Sequence, residues 1–225
     1  MTGKAIWLAW LVAGQMPEEP EPKGLLAPML SCTARRKAGL DAAGRFVSLD
    51  RQDARLWDKD QSIEAEALLT GAARAGRFGR YQCEAAIQSV HVQRPIAGRL
   101  NLRALHMLYD LLVSQSESLG ARVGRAIVLA KLGDLLQARA ELDAMPAGRV
   151  RTDQPWWVAR SRETVLDGCT DEPADALSTA VAPTKDAAVR EFLPDQRLKL
   201  SARQRRSCSP CCLAGLPTSC GAPDD

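Results

Sequence analysis

The sequence has few of the groups with which enzymes do chemistry. Its 225 residues include only two histidines, His91 and His106. Both lie in apolar helical runs, and neither has a carboxylate at the spacing typical of a catalytic pair. The chain also lacks a Gly-rich phosphate loop, a G-x-S-x-G elbow and an H-E-x-x-H motif. The sequence therefore predicts no catalytic and no cofactor-binding residues, and a protein that is not an enzyme.

Aromatic residues and charge of one sign are also scarce. Aromatics make up 4% of the chain, and 30 basic residues nearly balance 27 acidic ones, for a net charge of +3. Near-balance argues against a dedicated polyanion binder. The abundance of Ala and Leu favours helices over sheets. The run Ala5–Ala13 is far shorter than the ~18 apolar residues of a membrane span. It is about as long as a signal-peptide core, but an amphipathic helix is the preferred interpretation, so we expect a cytoplasmic protein without membrane contact.

The cysteines are odd in number and irregularly spaced, which is poor evidence for disulfides. Four of them crowd the end of the chain: Cys208, Cys211, Cys212 and Cys220. Four thiolates could complete a tetrahedral zinc site, but the paired knuckles of such sites are missing. The basic, Cys- and Pro-rich stretch 199–225 is therefore interpreted as a disordered tail that binds no metal.

Residues 1–23 are expected to form an amphipathic helix and an acidic, Pro-rich linker, and residues 24–198 a helical domain. The predicted helices are a short one over Leu25–Leu30 weakened by Pro28, one from near Asp53 with Trp57, Ile63, Ala67 and Leu68 on its apolar face, one through Tyr81 that Pro95 and Gly98 end, and one from Asn101.

Residues 122–146 have the pattern of a helical hairpin, with Gly133 in the turn. Part of this pattern recurs about 35 residues later, near 157–182, close to the ~34-residue period of tetratricopeptide repeats. Glycine suits such a turn because it adopts the left-handed conformation that ends many helices.

The most distinctive motif is acidic, running from Asp50 through Gln52 and Asp53 to Trp57 and Asp58. Its carboxylates could bind a cation. Because the motif leads into a helix, capping by Asp and packing by Trp57 is the preferred interpretation.

At this motif the sequence resembles the C-terminal, tetratricopeptide-like extension of bacterial extracytoplasmic-function (ECF) sigma factors. The resemblance covers roughly residues 5–195 and is strongest over Gly24–His91. It is carried by Gly24-Leu25-Leu26-Ala27, Ala34-Arg35-Arg36, Leu40-Asp41-Ala42-Ala43-Gly44, Gln52-Asp53, Trp57-Asp58, Gly79-Arg80-Tyr81-Gln82, Val90-His91, Leu108-Tyr109-Asp110 and the Gly133 hairpin.

The resemblance implies an all-α fold of antiparallel helix pairs stacked in a right-handed, tetratricopeptide-like array. It also implies a role in bacterial transcription initiation, with core RNA polymerase or sigma-factor domains as partners. The family-motif residues with implied structural roles are Gln52, Asp53, Trp57, Asp58, Tyr81, Gln82, His91, Tyr109 and Gly133.

This chain departs from the family because only residues 1–23 precede Gly24. The promoter-reading regions 2 and 4, which lie upstream in the family, have no counterpart here. We therefore expect regulatory protein–protein interaction without direct binding of promoter DNA. The alternatives are a stand-alone tetratricopeptide-like scaffold unrelated to transcription, or a truncated or frameshifted remnant of a sigma factor.

Overall fold

The computed structural model describes residues 3–150 and 155–160. Its helices are α1 (Gly3–Gln15), α2 (Pro20–Ala34), α3 (Lys59–Ala73), α4 (Arg80–Ala97), α5 (Leu102–Gln115), α6 (Leu119–Leu132), α7 (Leu135–Asp143) and the single turn α8 (Ala147–Val150). Residues 155–160 are also helical. Apart from one antiparallel bridge between Leu40 and Phe46, the described residues contain no strand pairing, so the all-α prediction is confirmed.

Local side-chain chemistry fixes where the later helices begin and end. Asn101, Ser118 and Asp134 each precede a helix and accept a hydrogen bond from a backbone N–H of its first turn. These caps satisfy donors that have no partner within the helix. Gly133 ends α6 with φ +93°, the left-handed conformation predicted for the hairpin turn.

Consecutive helices pack against one another along the chain, and α2 contacts α1, α3 and α4. Three apolar clusters form the core. The first joins α1, α2, α3 and α4, the second joins α4, α5 and α6, and the third joins α6, α7 and the helical residues 155–160. The helices therefore form a stack in which α2 has the most neighbours.

The predicted linker and short helix after α1 are wrong in their bounds. α2 begins at Pro20, inside the proposed linker, and runs through Pro28 to Ala34. Pro20 begins the first turn, where proline is tolerated because the N–H that it lacks would have no partner within the helix. Leu26, Ala27 and Leu30 are buried in the same cluster as Ala9 and Ala13 of α1. Residue 23 is therefore not a boundary between separate cores.

The predicted start of α3 is also wrong. The helix begins at Lys59, six residues after Asp53, because Asp58 is its N-cap residue. The face that packs is formed by Ala65, Leu68, Leu69 and Ala72, whereas Ile63 is 67% exposed. α4 runs through Pro95 to Ala97, so that of the two residues expected to end it, Gly98 does so, in a left-handed conformation.

Several predictions fall outside the described residues. They are the disordered tail 199–225, its alternative zinc ligands Cys208, Cys211, Cys212 and Cys220, and all of the second hairpin near 157–182 beyond residue 160.

Candidate interaction site

The acidic motif lies in an extended segment that leads into α3. Asp53 accepts a hydrogen bond from the Arg55 backbone N–H and pairs with its guanidinium, which lowers the pKa of Asp53. Asp58 accepts from the N–H of Gln61 at 3.1 Å. Trp57 between them is 7% exposed. Capping and packing, the preferred interpretation of the motif, are therefore what the structure shows for these side chains.

This segment is held against the C-terminal end of α2. The Asp58 N–H donates to the carbonyl of Ala34 at 2.9 Å. The Gln52 side chain donates to the Val47 carbonyl at 3.2 Å, which fixes the approach to the motif. The motif residues are thus brought beside Arg35, whose guanidinium carbon lies 6.0 Å from the centre of the Trp57 ring. This is the geometry of a cation–π contact.

Arg35 is the least expected residue of this region. It is 8% exposed, and it is the only arginine in the described part of the chain that is buried. Its Nη2 donates to Gln88 Oε1 at 2.6 Å and lies 3.7 Å from Cys32 Sγ, whereas its buried Nη1 has no partner. Burial lowers the pKa of Arg35. In the sequence, Arg35 is the first residue of the basic run Arg35-Arg36-Lys37.

His91 of α4 is affected by the positive charge of Arg35. Burial is the main cause that lowers the pKa of His91, to about 4, and the positive charges of Arg35, Lys131 and Arg94 lower it further. His91 is therefore a neutral, partly buried side chain at neutral pH. This agrees with its position in an apolar helical run.

A second junction joins α2 to the start of α4. The Glu21 carboxylate accepts from the backbone N–H of Tyr81 at 2.9 Å, the N–H of Gln82 at 3.3 Å and the Gln82 side-chain amide at 3.2 Å. An anion at a helix N-terminus is favoured by the helix dipole and by the unpaired N–H groups. Glu21 therefore caps a helix that begins some sixty residues later in the chain.

Glycines allow this close approach. A Cβ on Gly24 would lie 2.7 Å from the backbone nitrogen of Gln82, and a Cβ on Gly79 would lie within 2.4 Å of the Glu21 carboxylate. Gln82 is completely buried. The motif residues Tyr81 and Gln82 thus help to join two helices, with Gly24 and Glu21 as the partners that sequence reasoning did not connect to them.

A polar network joins α5, α6 and α7. Glu141 bonds to Arg122 Nε at 2.6 Å and to Arg125, and Arg125 also lies 3.3 Å from Asp110. Burial alone would raise the pKa of Glu141, but the hydrogen bonds and charges of the two arginines outweigh it and lower the pKa below 4.5. Beside this network, the Tyr109 ring occupies the space where a Cβ on Gly124 would lie. Tyr109 is therefore a contact between α5 and α6.

The same network corrects one expectation about the histidines. His106 has a carboxylate partner after all, since its Nδ1 lies 3.4 Å from Asp110 one helical turn away. Positions i and i+4 face each other on a helix, so the sequence spacing of His106 and Asp110 already allows this contact. Because Asp110 also contacts Arg125, the arrangement belongs to the ionic network between helices.

Helix α1 presents the most apolar surface of the described residues. Ala9 and Ala13 are buried against α2, but the other sides of the helix are apolar as well. Its exposed large side chains are Trp7 (61%), Leu8 (55%), Trp10 (41%), Leu11 (43%) and Val12 (46%). We call these five residues the α1 face. The prediction of an amphipathic helix is therefore wrong, because the side of α1 that faces solvent is apolar rather than polar. Contiguous apolar surface of this kind is typical of interaction sites.

Within the described residues, no helix is both long and apolar enough to cross a membrane. The same residues contain no group of three or more His, Cys, Asp or Glu side chains that could hold a metal ion.

Comparison with known proteins gives two matches. Residues 1–73 match a family of unknown function, DUF6596. Over 128 residues, or 57% of this chain, the sequence is 34% identical to an uncharacterized protein of Rhizobium meliloti (strain 1021). The matched region spans 30% of that relative's length. No solved structure matches the chain.

Proposed function

We propose that this protein is a regulatory interaction module of bacterial transcription, related to the C-terminal extensions of ECF sigma factors. It acts in the cytoplasm by binding core RNA polymerase or a sigma-factor domain, rather than by catalysis or by reading promoter DNA. Two observations support the proposal. The sequence resembles these extensions over roughly residues 5–195, and the α1 face offers a surface suited to a protein partner.

The α1 face carries the argument for a binding role. Two tryptophans and three aliphatic side chains on one helix are all at least 41% exposed. Tryptophan is enriched among the residues that contribute most to protein–protein binding. Burying such a surface against a partner removes apolar area from water, which stabilises the complex.

The residues of the resemblance serve the fold around this surface. Trp57 and Asp58 hold the segment before α3, and Gln82 joins α4 to α2. α2 in turn packs against α1. We therefore assign the family-motif residues to positioning the helices and the α1 face to contacting the partner.

Co-elution of the purified chain with core polymerase, and separately with a sigma-factor fragment that contains regions 2 and 4, tests the proposal at micromolar concentration. Trp7→Glu should abolish co-elution. Ile96→Glu is the matched control, because Ile96 is an apolar residue that is 88% exposed on α4. The proposal is contradicted if the chain binds neither target, or if both variants lose binding to the same extent. If the chain bound unrelated peptides but neither of these targets under the same conditions, the result would favour the stand-alone scaffold.

A further inference from the structure

The region around Arg35 combines a buried cation with an absence of negative charge. The other arginines with short side-chain contacts to carboxylates include Arg45 with Asp41, Arg55 with Asp53 and Arg122 with Glu141. Arg35 is more buried than any of these, yet among the described residues no carboxylate lies within ion-pair distance of it. Buried charges in proteins are normally paired, because removing an ion from water is costly.

The contacts that Arg35 does make leave its charge uncompensated. Gln88 offers a neutral amide oxygen, Cys32 a thiol and Trp57 the face of its ring. The C-terminal end of α2 contributes a partial negative charge that offsets only part of a full positive one. Nη1, one corner of the planar fork, donates to nothing.

Nearby side chains add positive charge. Arg35, Lys131 and Arg94 all act on His91, from the end of α2, the end of α6 and from α4 itself. The indole nitrogen of Trp57 and the amide oxygens of Gln52 and Gln61 also have no partner. A water molecule can satisfy neutral donors and acceptors of this kind, whereas it cannot neutralise a guanidinium.

We propose that the Arg35 guanidinium, at its contact with Gln88 and through its unpartnered Nη1, binds a carboxylate. The carboxylate replaces the Gln88 amide as the partner of Nη2 and reaches Nη1 with its second oxygen, which gives the two parallel bonds typical of Arg–carboxylate pairs. Gln88 is the group that must move, and it is a partly exposed side chain with several rotatable bonds. This site is separate from the α1 face and does not depend on the proposed partner.

The carboxylate could come from a small molecule or from an acidic protein segment. Acetate and a blocked hexaglutamate peptide distinguish the two sources. A protein segment would place further carboxylates near Arg94 and Lys131, so the peptide should bind at least about tenfold more tightly per carboxylate than acetate. A small-molecule site should show equal affinity per carboxylate.

NMR of the intact chain measures binding directly at the guanidinium. The Nε–Hε signal of Arg35, assigned in the wild-type chain by through-bond correlation to the Arg35 backbone, should shift saturably when either probe is added at constant ionic strength made up with chloride. Arg36→Gln is the matched control, because Arg36 is exposed and adjacent in sequence. It should leave the titration unchanged.

A second readout is the pKa of His91, which should rise in saturating probe because a bound carboxylate opposes the surrounding positive charges. The proposal is overturned if the Arg35 signal does not shift with either probe, or if it shifts linearly and to the same extent as the signals of exposed arginines. It is also overturned if the pKa of His91 stays the same at saturation. The wild-type signals decide the matter even where an Arg35 variant does not fold.

Discussion

The contact of Glu21 with the start of α4 leads to a prediction whose size can be worked out. Glu21→Ala removes an anion that accepts two backbone N–H groups and the Gln82 amide. Loss of a helix cap costs about 1 kcal/mol. Loss of a charge-assisted hydrogen bond to the buried Gln82 adds roughly 1–2 kcal/mol. We therefore expect the free energy of unfolding to fall by about 2–3 kcal/mol.

Glu21→Gln separates charge from shape. The amide oxygen of glutamine still accepts hydrogen bonds, but the interaction with the helix dipole is lost. The expected cost is about 1 kcal/mol, intermediate between wild type and Glu21→Ala. In a chain of this size each kcal/mol lowers the melting temperature by roughly 2–4 °C.

Urea denaturation followed by circular dichroism at 222 nm measures both variants. Glu18→Ala is the matched control, because Glu18 is an exposed acid three residues earlier. It should change stability by less than about 0.5 kcal/mol. If Glu21→Ala were no more destabilising than Glu18→Ala, the junction between α2 and α4 would not have the importance inferred from its hydrogen bonds.

Three further predictions concern packing and pH. Gly24→Ala should destabilise by about 1–3 kcal/mol in thermal melts, because its Cβ would meet the Gln82 backbone. Gly71→Ala, in open space on α3, should be neutral or slightly stabilising, and equal effects would argue against the close approach. His91 binds protons less readily in the folded state, where its pKa is about 4 against an ordinary value of 6.5. Its contribution to the free energy of unfolding should therefore be fully present above pH 6.5 and decrease as the pH falls towards 4. His91→Gln should remove this decrease and His106→Gln should retain it. If His91 were solvated, denaturation across that range would show the same pH dependence in wild type and in His91→Gln. The pKa of Glu141 is lowered, so the stability advantage of wild type over Glu141→Gln should be largest above pH 4.5 and shrink below it, and a constant difference in urea midpoints would refute the ion-pair argument.

The parts of the fold that depend on neighbouring residues could be predicted from the sequence. Asn101 and Gly133 are examples, since a cap or a left-handed turn involves residues within one helical turn. The start of α3 was mispredicted because Asp53 and Asp58 are both suitable caps. The first closes only a short 3₁₀ turn, and the second begins the α-helix.

The features that could not be predicted join distant parts of the chain. Glu21 reads as one acid in a Pro-rich stretch until α4 is placed against it. Arg35 reads as the first residue of a solvated basic run until α4 and the Trp57 segment cover it. Composition and periodicity carry no information about such contacts, which depend on how the helices cross.

The arrangement of neighbours along the stack determines how the described part of the protein comes apart. α7 packs on α6 and on the helical residues 155–160, at the end of the described stack, whereas releasing α2 requires the simultaneous loss of its contacts with α1, α3 and α4. Amide protons of α2 should therefore exchange with solvent only when this whole group unfolds, and those of α7 through smaller fluctuations. A partner bound to the α1 face would slow exchange in α2 as well, because ligand binding stabilises every element that must unfold with its site.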